Sequence, residues 1–173
     1  RSPDAIKVLR NTVPEAPPLG LTAEHLTAVQ KSMFEVVNGE RGTGHSSRIV
    51  EPAMLMAGKT GTSQVRNISV AERASGVIAN EDLPWNRRDH ALFVGFAPFD
   101  APRYAISVVV EHGGGGSIAA APIARDVLLR VMAGGLPPLS AYPASQRGRI
   151  ETMLDELPLR DPVTGLVPVR TRA

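Results

Sequence analysis

The chain has 173 residues, of which 43% are hydrophobic and 4% aromatic, enough for one domain with a real core. Its 19 basic and 17 acidic residues leave a net charge of +2, interspersed without a run of one sign, so no nucleic-acid partner is indicated, although a mildly positive groove for an anionic ligand fits. Without cysteine there is neither a disulfide framework nor a thiolate metal site, and no apolar run reaches the length of a membrane-spanning helix.

Residues 5–9, Ala-Ile-Lys-Val-Leu, suit a short strand, and Pro14, Pro17 and Pro18 then form a stiff connector without N–H donors. Thr22 is placed to cap a helix, with Glu24 in its first turn, where the helix dipole favours an anion. Leu21 and Leu26 occupy the positions of a hydrophobic staple, and Leu26, Val29, Met33 and Val36 or Val37 share one helical face. Asn38-Gly39 supplies the stop.

Residues 40–48 are polar and Gly-rich, a loop. Met54 to Val65 reads as a strand whose glycines leave room for close approach to the backbone. Residues 67–88 are a mixed insertion. His90–Ala97 and Arg103–Glu111 form a strand pair around the turn Pro98-Phe99-Asp100-Ala101-Pro102, with Ile106, Val108 and Val110 alternating with Ala105, Ser107 and Val109. After the loop Gly113–Gly116, Pro122 suits the first position of a second helix, whose apolar stripe is Ile123, Val127, Leu128 and Val131 and whose end is Gly134-Gly135. Residues 1–135 therefore form the structured portion and 136–173 a Pro- and Arg-rich tail, partly disordered, in which Ile150, Met153, Leu154 and Leu157 make one short amphipathic helix. The fold class is α+β, an antiparallel sheet with packed helices.

Gly58-Lys59-Thr60-Gly61-Thr62 is the segment that carries chemistry. Gly-Lys-Thr ends the phosphate-binding pattern G-x-x-x-x-G-K-[ST], but that pattern needs Gly at position 53, where Ala53 stands, and a helix opening at the Lys, which Gly61 and the β-branched Thr60, Thr62 and Val65 oppose. The alternative is the K-T-G element of penicillin-binding proteins and serine β-lactamases, on a strand lining a cleft. An ammonium there attracts a substrate carboxylate. The glycine lets substrate lie against the strand, and the following Thr offers a hydroxyl and a backbone N–H.

AGKTGTSQV, then Arg88 to Pro98, then VVVEHGGGG and an Ala-Pro-started helix, together with Gly42-Thr43-Gly44-His45, resemble the class B penicillin-binding proteins, those of cell elongation above all. The resemblance covers about residues 20–133. It implies the C-terminal part of a serine transpeptidase/β-lactamase-like fold, with the order helix, K-T-G strand, two antiparallel strands and C-terminal helix. It implies that Lys59 and Thr62 belong to the catalytic apparatus. Thr60, Gly61, Thr62 and Gln64 would bind the substrate, with the Thr60 and Thr62 hydroxyls on the terminal carboxylate of a D-Ala-D-Ala stem peptide or of a β-lactam, and the Thr62 N–H in the oxyanion hole. No cofactor is implied. Partners by the same resemblance are peptidoglycan stem peptides, β-lactam antibiotics and the cell-elongation machinery, at the periplasmic face of the bacterial inner membrane. The family also needs a Ser-x-x-Lys nucleophile and a Ser-x-Asn or Tyr-x-Asn partner. No serine here has Lys three residues on or Asn two on, and Tyr104 and Tyr142 fail the same test. Both elements precede K-T-G in the family. The chain is therefore expected to be part of a longer protein, inactive alone, with apolar surface that the N-terminal half of the domain covers. A non-catalytic module of cell-wall assembly is the competing reading.

The four histidines show no metal-ligand spacing. Arg88-Asp89-His90 is expected to tie the insertion to the sheet rather than to act as a catalytic dyad. Gly113–Gly116 is expected to frame the cleft.

Overall fold

The computed structural model describes residues 17, 18 and 20–156. The expected strand at 5–9, the Pro14 end of the connector and Leu157 lie outside the described residues. The first helix, α1 (Ala23–Asn38), begins where Thr22 Oγ1 accepts a hydrogen bond from the His25 amide, satisfying one of the first-turn N–H groups that have no partner within the helix. It ends at Asn38, whose side-chain amide donates both to the Phe34 carbonyl and to the Met56 carbonyl, so the helix end is stitched to the start of the sheet. Of the expected apolar face only Val37 is fully buried; Leu26 and Val29 are about half exposed.

Three antiparallel strands follow: β1 (Ala57–Ser63), β2 (His90–Ala97) and β3 (Tyr104–Val110), in the spatial order β1-β2-β3. β1 is shorter than the run Met54–Val65, because Pro52–Met54 form a 3-10 turn before it. Side chains alternate across a strand, so the register sorts the residues into two faces. One carries Thr60, Thr62, Ala91, Phe93, Ala97, Tyr104, Ile106, Val108 and Val110; the other carries Lys59, Leu92, Val94, Phe96 and Val109. The Phe93 ring packs against Gly58 and Gly95, where an added Cβ would come within 2.2 and 2.7 Å of it. These are the close approaches for which the strand glycines leave room.

The second long helix, α3 (Ala120–Ala133), packs on β2 and β3. Two expectations are corrected here. Pro122 is the third residue of the helix, not the first: the Gly115 and Gly116 carbonyls accept from the amides of residues 119–121, and Pro122 fills one more of the first-turn sites that need no N–H. The buried stripe is Ala120, Ala121, Ala124, Arg125, Leu128 and Leu129, while Ile123, Val127 and Val131 are each almost half exposed. Alanines let the helix axis approach the sheet closely, and that approach sets the rotation. Gly134 closes the helix in the left-handed region at φ 64°.

A short helix α2 (Val70–Ser75) lies in the β1–β2 connection, and α4 (Arg147–Glu156) follows α3. Ala141, Tyr142 and Ile150 join the core cluster with Val37, Ile49, Met56 and Phe93. The buried Arg125 holds this segment: its guanidinium bonds Asp126 at 2.8 Å and Gln146 at 2.7 Å and stacks over the Tyr142 ring, and Gln146 in turn donates to the Ser46 carbonyl. Burial, with the nearby Asp126 charge, pushes the Tyr142 hydroxyl up to about 12.

Candidate active site

Lys59, Thr60, Gly61 and Thr62 lie on β1, the edge of the sheet, opposite Val94, Phe93, Leu92 and Ala91. No helix opens at Lys59, so the stacked N–H groups of a phosphate-binding helix terminus are not formed there. Among the described residues no strand pairs with the outer side of β1, the side on which an extended ligand can pair.

The strand separates the motif's side chains by face. Lys59 is exposed; its Nζ donates to the Thr60 carbonyl at 2.6 Å and borders a hollow of about 640 Å³ against the end of α1 and the Gly39–Thr43 turn. Thr60 and Thr62 share the opposite face. The Thr60 hydroxyl is 2.7 Å from the Thr43 hydroxyl, a partner that the side-chain chemistry of the motif alone does not reveal. The signal in the sequence was the small-residue run Gly42-Thr43-Gly44, which the fold uses to bring a loop against the strand. Gln64 stands apart from Lys59: it borders a second hollow, of about 270 Å³, formed by the β1–β2 connection with Arg66, Ile78, Asn80 and Asp89.

Gly116 fixes Gly61 from above. A Cβ at Gly116 would meet the Gly61 and Leu92 carbonyl oxygens at 2.3 Å, so backbone lies on backbone over the β1–β2 pair. The loop Gly113–Gly116 thus packs beside the motif. Its anchor is Asp89: the Gly114 amide donates to the Asp89 carbonyl at 2.8 Å, the Asp89 amide to Asn80 Oδ1 at 2.9 Å, and the Val65 amide to Asp89 Oδ1 at 3.4 Å. His90 Nδ1 accepts from the His112 amide at 2.9 Å, and the His112 ring meets Trp85 and the Arg88 carbonyl. Arg88-Asp89-His90 therefore ties the insertion to the sheet, as expected from the sequence. Within the insertion, Arg66 grips Glu72 through two hydrogen bonds, at 2.7 and 2.5 Å. That guanidinium, aided by the Ile78 amide, holds the Glu72 carboxyl down at about 2.

The arrangement offers one exposed ammonium, two hydroxyls and a free strand edge within four consecutive residues. Such a set can bind an extended, carboxylate-ended chain. Among the described residues no cluster of acidic or histidine side chains is placed to hold a metal ion, and no helix is long and apolar enough to cross a membrane.

An edge-strand K-T-G-T beside a Gly-rich loop, on a sheet covered by α3, defines a penicillin-binding type of transpeptidase fold. The chain belongs to this family: the model of the penicillin binding protein transpeptidase domain matches residues 4–129. It is 35% identical over 115 residues to the peptidoglycan D,D-transpeptidase MrdA of Haemophilus influenzae, covering 66% of this chain and 17% of that protein. It is 39% identical over 106 residues to MrdA of Acinetobacter baumannii, covering 61% of this chain and 14% of that protein. The chain thus spans less than a fifth of the length of these relatives. Among solved structures, the complex between penicillin-binding protein PBP2 and MreC from Helicobacter pylori superposes with a TM-score of 0.51 at 29% identity, covering 66% of this chain and 19% of the matched one.

Proposed function

We propose that these residues form the K-T-G side of the active-site cleft of a serine D,D-transpeptidase that cross-links peptidoglycan during cell elongation. The observation that carries the reading is the placement of Lys59, Thr60 and Thr62 on a sheet edge in a chain of this family. This reading assigns the nucleophile to a serine outside these 173 residues, none of whose serines is followed three residues later by lysine.

In this reading an activated serine attacks the carbonyl of the D-Ala-D-Ala peptide bond of a stem peptide. The bond breaks, the terminal D-Ala leaves with the proton taken from the serine, and an acyl-enzyme remains. The amine of a second stem then attacks the ester, and the serine is regenerated. Each residue here has a part in those steps. The donor peptide pairs with the free edge at Gly61, where no side chain stands in the way. The Thr60 and Thr62 hydroxyls hold its terminal carboxylate, and the Thr62 N–H stabilises the oxyanion that develops on the attacked carbonyl. The Lys59 ammonium supplies positive potential and holds a neighbouring hydroxyl in the proton path. β-Lactams enter as carboxylate-bearing mimics of the donor and acylate the same serine. The site works at the periplasmic face of the inner membrane, alongside the elongation machinery; the structural likeness to the PBP2 of a PBP2–MreC complex supports that partner class.

The test is D-Ala release from a D-Ala-D-Ala-ended stem peptide by the full-length transpeptidase that carries these residues. Release abolished by Lys59→Ala is the expected result; release that is unchanged by Lys59→Ala sinks this assignment.

A further inference from the structure

We propose that Thr43 is a positioning residue for carboxylate recognition: its hydroxyl donates to the Thr60 hydroxyl, and so turns the Thr60 proton toward the carboxylate of the acyl donor. This deepens, and rests on, the reading of Thr60 as a carboxylate-binding residue.

The starting observation is the 2.7 Å contact between Thr43 Oγ1 and Thr60 Oγ1, across 17 residues of sequence. A hydroxyl has one proton and two lone pairs, so in such a pair one partner donates and the other accepts. The two directions have opposite consequences. If Thr60 spends its proton on Thr43, it presents only lone pairs to an incoming carboxylate and repels it. If Thr43 donates, the Thr60 proton is free for the carboxylate, and the Thr60 oxygen, already accepting, becomes a stronger donor. An anionic ligand stabilises the second arrangement because hydrogen bonds to an ionised acceptor are the stronger ones.

The loop carrying Thr43 is built to hold that hydroxyl still. The Gly42 amide donates to the Gly39 carbonyl at 2.9 Å, the His45 amide to the Gly42 carbonyl at 3.0 Å, and the Gly44 amide to the Val36 carbonyl at 2.9 Å. Gly42 lies so close to the end of α1 that an added Cβ would stand 2.2 Å from the Val36 carbonyl oxygen. Residues on both sides of Thr43 are therefore pinned by backbone contacts, and its side chain projects from a fixed turn onto the strand. On the other side, Thr60 is fixed by its pairing with Phe93. A hydroxyl on a flexible loop could not bias a rotor; one held at both flanks can.

The experiment compares Thr43→Val and Thr43→Ser with the parent full-length transpeptidase. Valine keeps the branched shape and removes the hydroxyl; serine keeps the hydroxyl. Acylation efficiency is measured with benzylpenicillin and with its methyl ester, which has no carboxylate. Losing the Thr43–Thr60 hydrogen bond leaves the Thr60 oxygen without its donor and the Thr60 proton unoriented, and is expected to lower benzylpenicillin acylation about 3- to 10-fold in Thr43→Val, with the methyl ester unaffected and Thr43→Ser close to the parent. The parent's preference for the free acid therefore collapses in the valine variant alone. Thr43→Val that retains this preference, or that slows both compounds equally, overturns the inference while leaving the transpeptidase reading intact. A parent protein that is acylated by neither compound overturns that reading, and this inference with it.

Discussion

Lys59 makes the sharpest claim at the scale of a residue. It is exposed, and among the described residues its ammonium donates to the neighbouring Thr60 carbonyl, so folding depends little on it. Lys59→Ala in the full-length transpeptidase should leave the melting temperature within about 1–2 °C, as surface substitutions usually stay within about 0.5 kcal/mol. Acylation by penicillin should nevertheless fall by about 10²–10⁴-fold, the range typical of a lost proton-transfer or oxyanion group. Gly58 makes the opposite claim. Its Cβ would stand 2.2 Å from the Phe93 ring, which is fully buried and cannot yield. Gly58→Ala should destabilise by about 1–3 kcal/mol through overpacking, whereas Gly135→Ala, with nothing within 4 Å, should not. Urea denaturation of the two variants checks the contrast.

At the scale of elements, the β1–β2 connection has its own pH dependence. Glu72 is held at about 2 by Arg66, below the ordinary value of 4.5. A depressed carboxyl contributes stability that is present above the ordinary value and lost as pH falls through the depressed one. The connection should therefore stay intact at pH 5 and loosen only between about 4.5 and 2. Hydrogen exchange at the Ile78 amide, which donates to Glu72 Oε1, reports this; protection already lost at pH 5 would contradict the pairing. Gly116 ties another element to the motif: Gly116→Ala should push the start of α3 off the Gly61 backbone and slow acylation without touching any ligand-binding side chain. The elements were legible where local chemistry decides them. The Thr22 cap, the Asn38 stop and the β2–β3 hairpin follow from side-chain bonding and strict alternation. The rotation of α3 was not legible, because large aliphatic residues suggest the buried side whereas Ala120, Ala121 and Ala124 permit the closest approach. Arg125 reads as a solvated charge until Gln146 and Tyr142, distant in sequence, arrive to pair with it. The K-T-G strand was legible as a motif and as an edge strand, but the Thr43–Thr60 contact depends on how a loop folds back, which no local pattern encodes.

At the scale of the whole molecule, the exposed residues Ile123, Val127 and Val131 on α3, Leu26 and Val29 on α1, and Val94 and Val109 on the open sheet face leave apolar surface uncovered by the described residues. Each such side chain, once buried, is worth about 1.5–3 kcal/mol, against a net domain stability of about 5–15 kcal/mol. Residues 1–173 purified alone should therefore melt without cooperativity or associate, as seen by circular dichroism and light scattering; a clean monomer with a cooperative melt would show an independently stable domain. The proposed division of labour, K-T-G side here and nucleophile elsewhere, is open to one direct measurement. Intact-mass and peptide mass spectrometry after incubation with benzylpenicillin should find a single adduct in the full-length protein, on a serine outside these 173 residues, and none on residues 1–173 alone. A stoichiometric adduct on any serine within residues 1–173 would contradict the account.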